Sequence, residues 1–170
     1  MDRLILMRHG KAEPHAASGG DFERALAPRG QNDATLMGQV LAQAGLSPDL
    51  ALVSSARRTR ETWEAAAPAF PKARAEVRRD LYHAEAQDVL AAIRDEAPDG
   101  GTVMVVGHNP GLHELALRLT LGGPAEPALL AKLGGKFPTS TVAVFSIDAD
   151  GAPTLSRLFY ASENGGHGGE

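Results

Sequence analysis

The chain has 170 residues, of which 43% are hydrophobic and 22% charged, the balance of a folded globular protein rather than a disordered one. That length predicts one domain, here residues 1–162, closed around its own core. The absence of cysteine excludes a disulfide framework, a thiolate metal site and a cysteine nucleophile, and a formal net charge of −4 gives no global field for nucleic acid. Thirteen of the 17 basic residues are nevertheless arginine, whose planar fork suits phosphate and carboxylate oxygens.

Met1-Asp2-Arg3 precedes a short apolar run, Leu4 to Met7. The run is too brief for a signal segment or for the roughly 20 residues of a membrane span, so a cytoplasmic protein with no membrane partner is expected. It reads instead as a buried strand that ends in Arg8-His9-Gly10, at the end of a parallel strand where α/β sheets bind ligands. Lys11 to Gly30, punctuated by Pro14, Ser18, Gly19, Gly20 and Pro28, is a long loop with a short helical turn. Met37, Val40, Leu41 and Ala44 recur at helical spacing and Gly45 stops them, so a helix is predicted over 31–44.

Leu50 to Val53 is a second buried strand, after which Ser54-Ser55 is expected to cap a helix reaching Trp63. Val77 to Leu81 is expected to be a short extended piece, and Ala86, Val89, Leu90, Ile93 and Ala97 mark a helix ended by Pro98-Asp-Gly-Gly101. Thr102 to Val106 is a third buried strand, running into Gly107-His108-Asn-Pro-Gly111 and a helix over 112–121. A Gly/Pro-rich connector, 122–138, leads to a hairpin of strands 141–147 and 154–160. The tail, 163–170, has no apolar residue and is expected to be disordered. The sum is an α/β protein with three layers, α/β/α, and a mostly parallel sheet with an antiparallel edge.

Three polar clusters therefore follow three strands, and parallel neighbours would bring them to one crevice. Arg8-His9-Gly10 offers an imidazole beside a permanent cation. Ser54, Arg58 and Thr62 recur every four residues, one face of a helix start where an anion binds, while Arg57 and Arg60 suit solvated pairs with Glu61 and Glu64. His108 can hold a proton or act as acid and base. Two arginines would repel a metal cation and no carboxylate accompanies the histidines at ligand spacing, so no metal is expected. Neither G-x-x-x-x-G-K-[ST] nor G-x-G-x-x-G occurs, so no nucleotide cofactor is expected either. The pocket suits a phosphoryl group.

These motifs resemble the histidine phosphatase superfamily, with its phosphoglycerate mutase-like fold, and within it the SixA-type phosphohistidine phosphatases. The likeness is carried by Met7-Arg8-His9-Gly10-Lys11-Ala12-Glu13, Phe22-Glu-Arg24-Ala-Leu26 with Pro28-Arg-Gly30, Ser54-x-x-x-Arg58-x-x-x-Thr62, Gly107-His108-Asn-Pro-Gly111 and, more weakly, Phe137-Pro-Thr-Ser140. The resemblance implies that His9 attacks phosphorus and forms a phosphohistidine that water hydrolyses, with Arg8, Arg58 and His108 on the phosphoryl oxygens and Arg24 approaching from the long loop. Mutase and acid-phosphatase members carry a carboxylate acid. Here the comparable stretch holds His83 and Glu85 as candidate proton donors. Weak acid provision favours a phosphohistidine, since an imidazole leaves with less help than an alkoxide. About 20 residues between Leu81 and Gly101 leave no room for a lid, so the cleft can admit a phosphohistidine-containing protein as partner. A phosphatase of small phosphomonoesters and a non-catalytic phosphoprotein-binding module are the alternatives.

Overall fold

The computed structural model describes residues 1–169. Six strands form one sheet in the order β3-β2-β4-β1-β5-β6, with β1 at Arg3–Arg8, β2 at Leu50–Ser54, β3 at Arg74–Arg78, β4 at Thr102–Gly107, β5 at Val142–Ile147 and β6 at Pro153–Phe159. β3, β2, β4 and β1 run parallel, whereas β5 is antiparallel to β1 and β6 to β5. Register pairs Arg8 with Gly107, and Val53 with Val106, so the three strand ends that precede the polar clusters lie at one level.

The alternation of a pleated strand explains why the central strands are apolar throughout. Leu4 and Leu6 face a core shared with Leu50, Leu52, Val103 and Val105, and covered by α3 (Ala86–Glu96), α4 (Gly111–Thr120) and α5 (Pro127–Gly135). Ile5 and Met7 face the opposite core with Ala51, Val53, Met104 and Val106, under α1 (Pro28–Gln43) and α2 (Arg57–Ala66). Each such side chain, taken fully out of water, contributes roughly 1.5–3 kcal/mol before entropy is charged against it. The expected three-layer fold is the one found.

Four local expectations need correction. α2 starts at Arg57 with Ala56 at its N-cap and no side-chain cap, so Ser54 stands on the strand and not on the helix face with Arg58 and Thr62. β3 occupies Arg74–Arg78 and residues 79–81 form a 3-10 turn. β3 is an edge strand bearing Arg74, Glu76 and Arg78, charges that guard an edge but hide the strand from an apolar pattern. The connector contains α5, opened by Pro127, which buries Leu133. The tail, expected to be disordered over 163–170, packs against α1 in its described residues, 163–169, through backbone amides that donate to the buried Asp33, while residue 170 lies outside the described residues. Backbone hydrogen bonds hold it where apolar side chains are lacking.

The loop after β1 is stitched back onto α1. Ala12 bridges Leu26, and residues 21–23 make the expected helical turn. A Cβ on Gly30 would collide with the Lys11 carbonyl, and one on Gly10 would lie 2.6 Å from the Gly30 carbonyl, so both must be glycine for the loop to close over the strand end.

Candidate active site

Arg8, His9, Arg24, Arg58 and His108 line one pocket of about 240 Å3 at the carboxyl ends of β1 and β4, together with Lys11, Asn109 and Thr139. His9 lies just past β1 and is 7% exposed. Its backbone is held on both sides, His9 N donating to Gly107 O at 3.1 Å and Ser140 N donating to His9 O at 3.0 Å. The His9 Nδ1 lies 2.7 Å from the Gly10 carbonyl. A carbonyl only accepts, so Nδ1 carries the proton and Nε2 keeps its lone pair. Burial, followed by the charges of His108, Arg58 and Arg8, holds His9 well below the usual histidine range, against a raising contribution from the Gly10 bond. His9 is therefore neutral at pH 7.

His108 stands with its ring centroid 5.4 Å from that of His9. Its Nε2 is 2.7 Å from Ser54 Oγ, which also receives a long bond of 3.5 Å from Ala56 N. With His108 neutral, the hydroxyl hydrogen of Ser54 has Nε2 as its acceptor, which places the remaining ring proton on Nδ1. That Nδ1 is buried and has no protein partner among the described residues, as is also true of Arg58 Nε. Burial, then the charges of Arg58, His83 and Arg8, pull His108 down to about 3, although Asp21 opposes them. Buried donors left unpaired beside a cavity cost about 1–3 kcal/mol each unless a ligand supplies acceptors. Both residues thus call for an anion.

α2 fixes Arg58 and Gly10 to one another. Gly10 N donates to Thr62 Oγ1 at 3.0 Å, and the Thr62 hydroxyl donates to Arg58 O at 2.7 Å. Arg58 is 6% exposed, and its guanidinium donates through Nη1 to Asp21 O at 2.9 Å and through Nη2 to Asp21 Oδ2 at 3.1 Å. Tyr82 OH donates to the same Oδ2 at 2.7 Å, and Arg24 Nε to Oδ1 at 2.9 Å. Partial burial acts to raise the Asp21 carboxyl. The Tyr82 and Arg24 hydrogen bonds and the charge of Arg58 outweigh it, and hold Asp21 well below the usual carboxylate range. A permanent carboxylate at the pocket mouth therefore orders Arg58, Arg24 and Tyr82 together.

Asp21 and Tyr82 are the participants that the sequence concealed. Arg24 pairs with Asp21 three residues before it, and closure of Asp21 onto Arg58 needs a loop to bring together residues 37 apart in sequence. Asn109, which the sequence shows only as part of the Gly107–Gly111 motif, donates through Nδ2 to Phe137 O at 2.8 Å. Arg57 pairs with Glu61 at 3.3 Å and is 45% exposed, as a solvated residue.

His83 and Glu85 lie outside the pocket, in an adjoining cleft of about 520 Å3 that shares Arg58, His108 and Asn109 with it. His83 adopts φ 56, a left-handed conformation uncommon for a non-glycine residue. Glu85 forms the N-terminal capping box of α3 with Asp88, whose carboxylate accepts Glu85 N at 3.0 Å. Among the described residues no three His, Cys, Asp or Glu side chains gather as a metal site would require.

Comparison with known proteins gives the family and the fold. The model of the histidine phosphatase superfamily (branch 1) matches residues 4–88. SixA of Agrobacterium tumefaciens is 32% identical, with 93% of this chain and 97% of that one aligned at a TM-score of 0.78. The chain belongs to the histidine phosphatase superfamily and is of the SixA type. The protein histidine phosphatase SixA, solved with tungstate, is 26% identical at a TM-score of 0.76 over 95% of this chain and 98% of that one. A chloroplast protein of Arabidopsis thaliana, itself uncharacterised, is 31% identical over 92% of this chain and 76% of its own length. This SixA-type phosphatase has no helix, among the described residues, long and apolar enough to cross a membrane.

Proposed function

We propose that the protein hydrolyses phosphohistidine on a protein substrate through a covalent phosphohistidine on His9. One observation carries the reading: the His9 Nδ1 bond to Gly10 O leaves Nε2 as a neutral nucleophile in a pocket whose Arg58 Nε and His108 Nδ1 lack acceptors. His9 Nε2 attacks phosphorus as the P–N bond of the substrate breaks, and the electron pair of that bond stays on the departing imidazole. A substrate ring already protonated at its other nitrogen leaves as neutral imidazole. Water then attacks the phosphoryl group, the P–N bond pair returns to His9 Nε2, and the water proton leaves with phosphate. Arg8, Arg58 and His108 bind the phosphoryl oxygens and stabilise the charge that builds on them in both transition states, the usual source of most catalysis in phosphoryl transfer. Arg24, held by Asp21 and by the Glu13 carbonyl at 2.8 Å, adds positive charge at the mouth.

The chemistry needs no metal, because guanidinium groups supply the cationic charge. Glu85 is engaged in a helix cap, and the leaving imidazole needs no dedicated acid, which favours phosphohistidine over a phosphomonoester. The cleft beside the pocket offers room for the segment that carries the phosphorylated side chain. Three of the similar solved proteins are SixA, one of them with tungstate, an oxyanion, bound.

The test is phosphate release in EDTA from a phosphohistidine protein and from a generic phosphomonoester, for the natural chain and His9→Ala. Release from phosphohistidine that is lost in a folded His9→Ala protein is expected. Substantial activity in that variant would refute the mechanism. Preferential turnover of the ester would make the protein a small-metabolite phosphatase, and binding without release would make it a phosphoprotein-binding module.

A further inference from the structure

One buried carboxylate and one sequence feature have no part in the chemistry above. Asp33 in α1 is 1% exposed. Its Oδ1 accepts His167 N at 2.9 Å and its Oδ2 accepts Gly168 N at 2.8 Å, with His167 Nδ1 a further 3.6 Å from Oδ1. The segment that meets it is Gly165-Gly166-His167-Gly168-Gly169. Gly165, Gly168 and Gly169 have φ of 97, 65 and 106, and a Cβ on Gly166 would lie 2.6 Å from Asp33 Oδ1. Glycine is what lets successive amides wrap a carboxylate this closely.

Past that clamp the tail reaches the catalytic pocket. Gly169 O accepts both Thr139 N at 2.9 Å and the Thr139 hydroxyl at 2.7 Å. Thr139 is 2% exposed and lines the pocket. Its immediate neighbours hold the site: Phe137 O accepts Arg8 Nη1 at 3.0 Å and Asn109 Nδ2 at 2.8 Å, Ser140 N donates to His9 O, and Thr141 O accepts Arg8 N at 3.0 Å. Ser140 sits at φ 61, a conformation that costs a non-glycine residue about 1–2 kcal/mol and persists only when its surroundings impose it.

We propose that the glycine-rich tail, clamped by Asp33, is a positioning strap for the phosphoryl pocket, fixing the wall 137–141 and through it Arg8, His9 and Asn109. Release of the strap leaves the buried Thr139 N–H and hydroxyl without their acceptor, so the wall relaxes and the nucleophile loses its alignment. Misplacement by about 1 Å is enough to cost on the order of 100-fold in rate. The kinetic half of the test rests on the proposed phosphatase activity, and the spectroscopic half does not.

Three proteins test the strap: a chain ending at Glu163, full-length Asp33→Asn, and full-length Gly166→Ala, which disturbs the clamp without removing residues. Each is compared with the natural chain for phosphate release from a phosphohistidine protein, for far-UV circular dichroism, and for the backbone amide 1H–15N signals of Arg8, His9 and Ser140. The expected result is unchanged circular dichroism, a kcat lower by about tenfold or more with KM altered less than about threefold, and displaced signals at all three amides. Asp33→Asn introduced into the shortened chain is expected to add no further loss. Unmoved amide signals in the shortened chain and in Gly166→Ala would overturn the proposal, whether or not the natural chain turns over phosphohistidine. So would additive losses in the combined variant, or a kcat per folded molecule within about twofold of the natural chain.

Discussion

The two neutral histidines of the pocket tie stability to pH, and the size of the effect follows from their burial. An unfolded histidine titrates near 6.5, whereas the fold holds His108 at about 3 and His9 well below 6.5. Between the two values the unfolded chain binds more protons, so stability falls as pH drops through 6.5 and levels off above about pH 7. A histidine kept neutral by the fold costs about 2 kcal/mol at pH 5 relative to pH 7.5. His9, 7% exposed and held well below the usual histidine range by burial, lowers stability in the same direction. His108 is open to the pocket, and hydration of its ring reduces its share to about 1 kcal/mol. Asp21 does not interfere, because its contribution is present above its ordinary value of 3.8 and is lost only below it. Urea unfolding followed by the fluorescence of Trp63, the one tryptophan, should therefore show lower stability at pH 5 than at pH 7.5, by more than the roughly 1 kcal/mol of His108 alone. His9→Asn should reduce that difference to about 1 kcal/mol. A flat profile, or a natural slope in His9→Asn, would show that the pocket does not hold its histidines neutral.

The adjacent arginines should separate cleanly. Arg58→Ala removes a buried cationic side chain from the pocket and is expected to lower kcat by about 100- to 1,000-fold, against less than about twofold for the solvated Arg57→Ala, as steady-state kinetics would show. Equal losses would mean that the pocket uses the other arginine. Glu85→Ala should cost about 1 kcal/mol in thermal or urea unfolding through the α3 cap and leave kcat near the natural value. A 100-fold fall in kcat at unchanged stability would instead make Glu85 the proton donor.

The sequence by itself determined the layered fold and the positions at which chemistry could occur. Apolar runs such as Leu4 to Met7 specify strands buried on both faces, and the residues following them must emerge at the sheet's carboxyl edge, which is why Arg8, His9, Arg58 and His108 were legible as a set. Elements held together by polar or exposed residues were not legible: β3 is guarded by charges, α5 is diluted by glycine, and the tail is held by amides on Asp33. Only the tertiary structure decided which proton each histidine carries, because the Gly10 carbonyl and the Ser54 hydroxyl that fix them come from a turn and from a neighbouring strand. It alone closed Asp21 onto Arg58, 37 residues away. Hydrophobic periodicity is written locally and survives in the sequence, whereas the direction of a carbonyl in a turn and a hydrogen bond between residues far apart depend on backbone paths that no periodicity encodes.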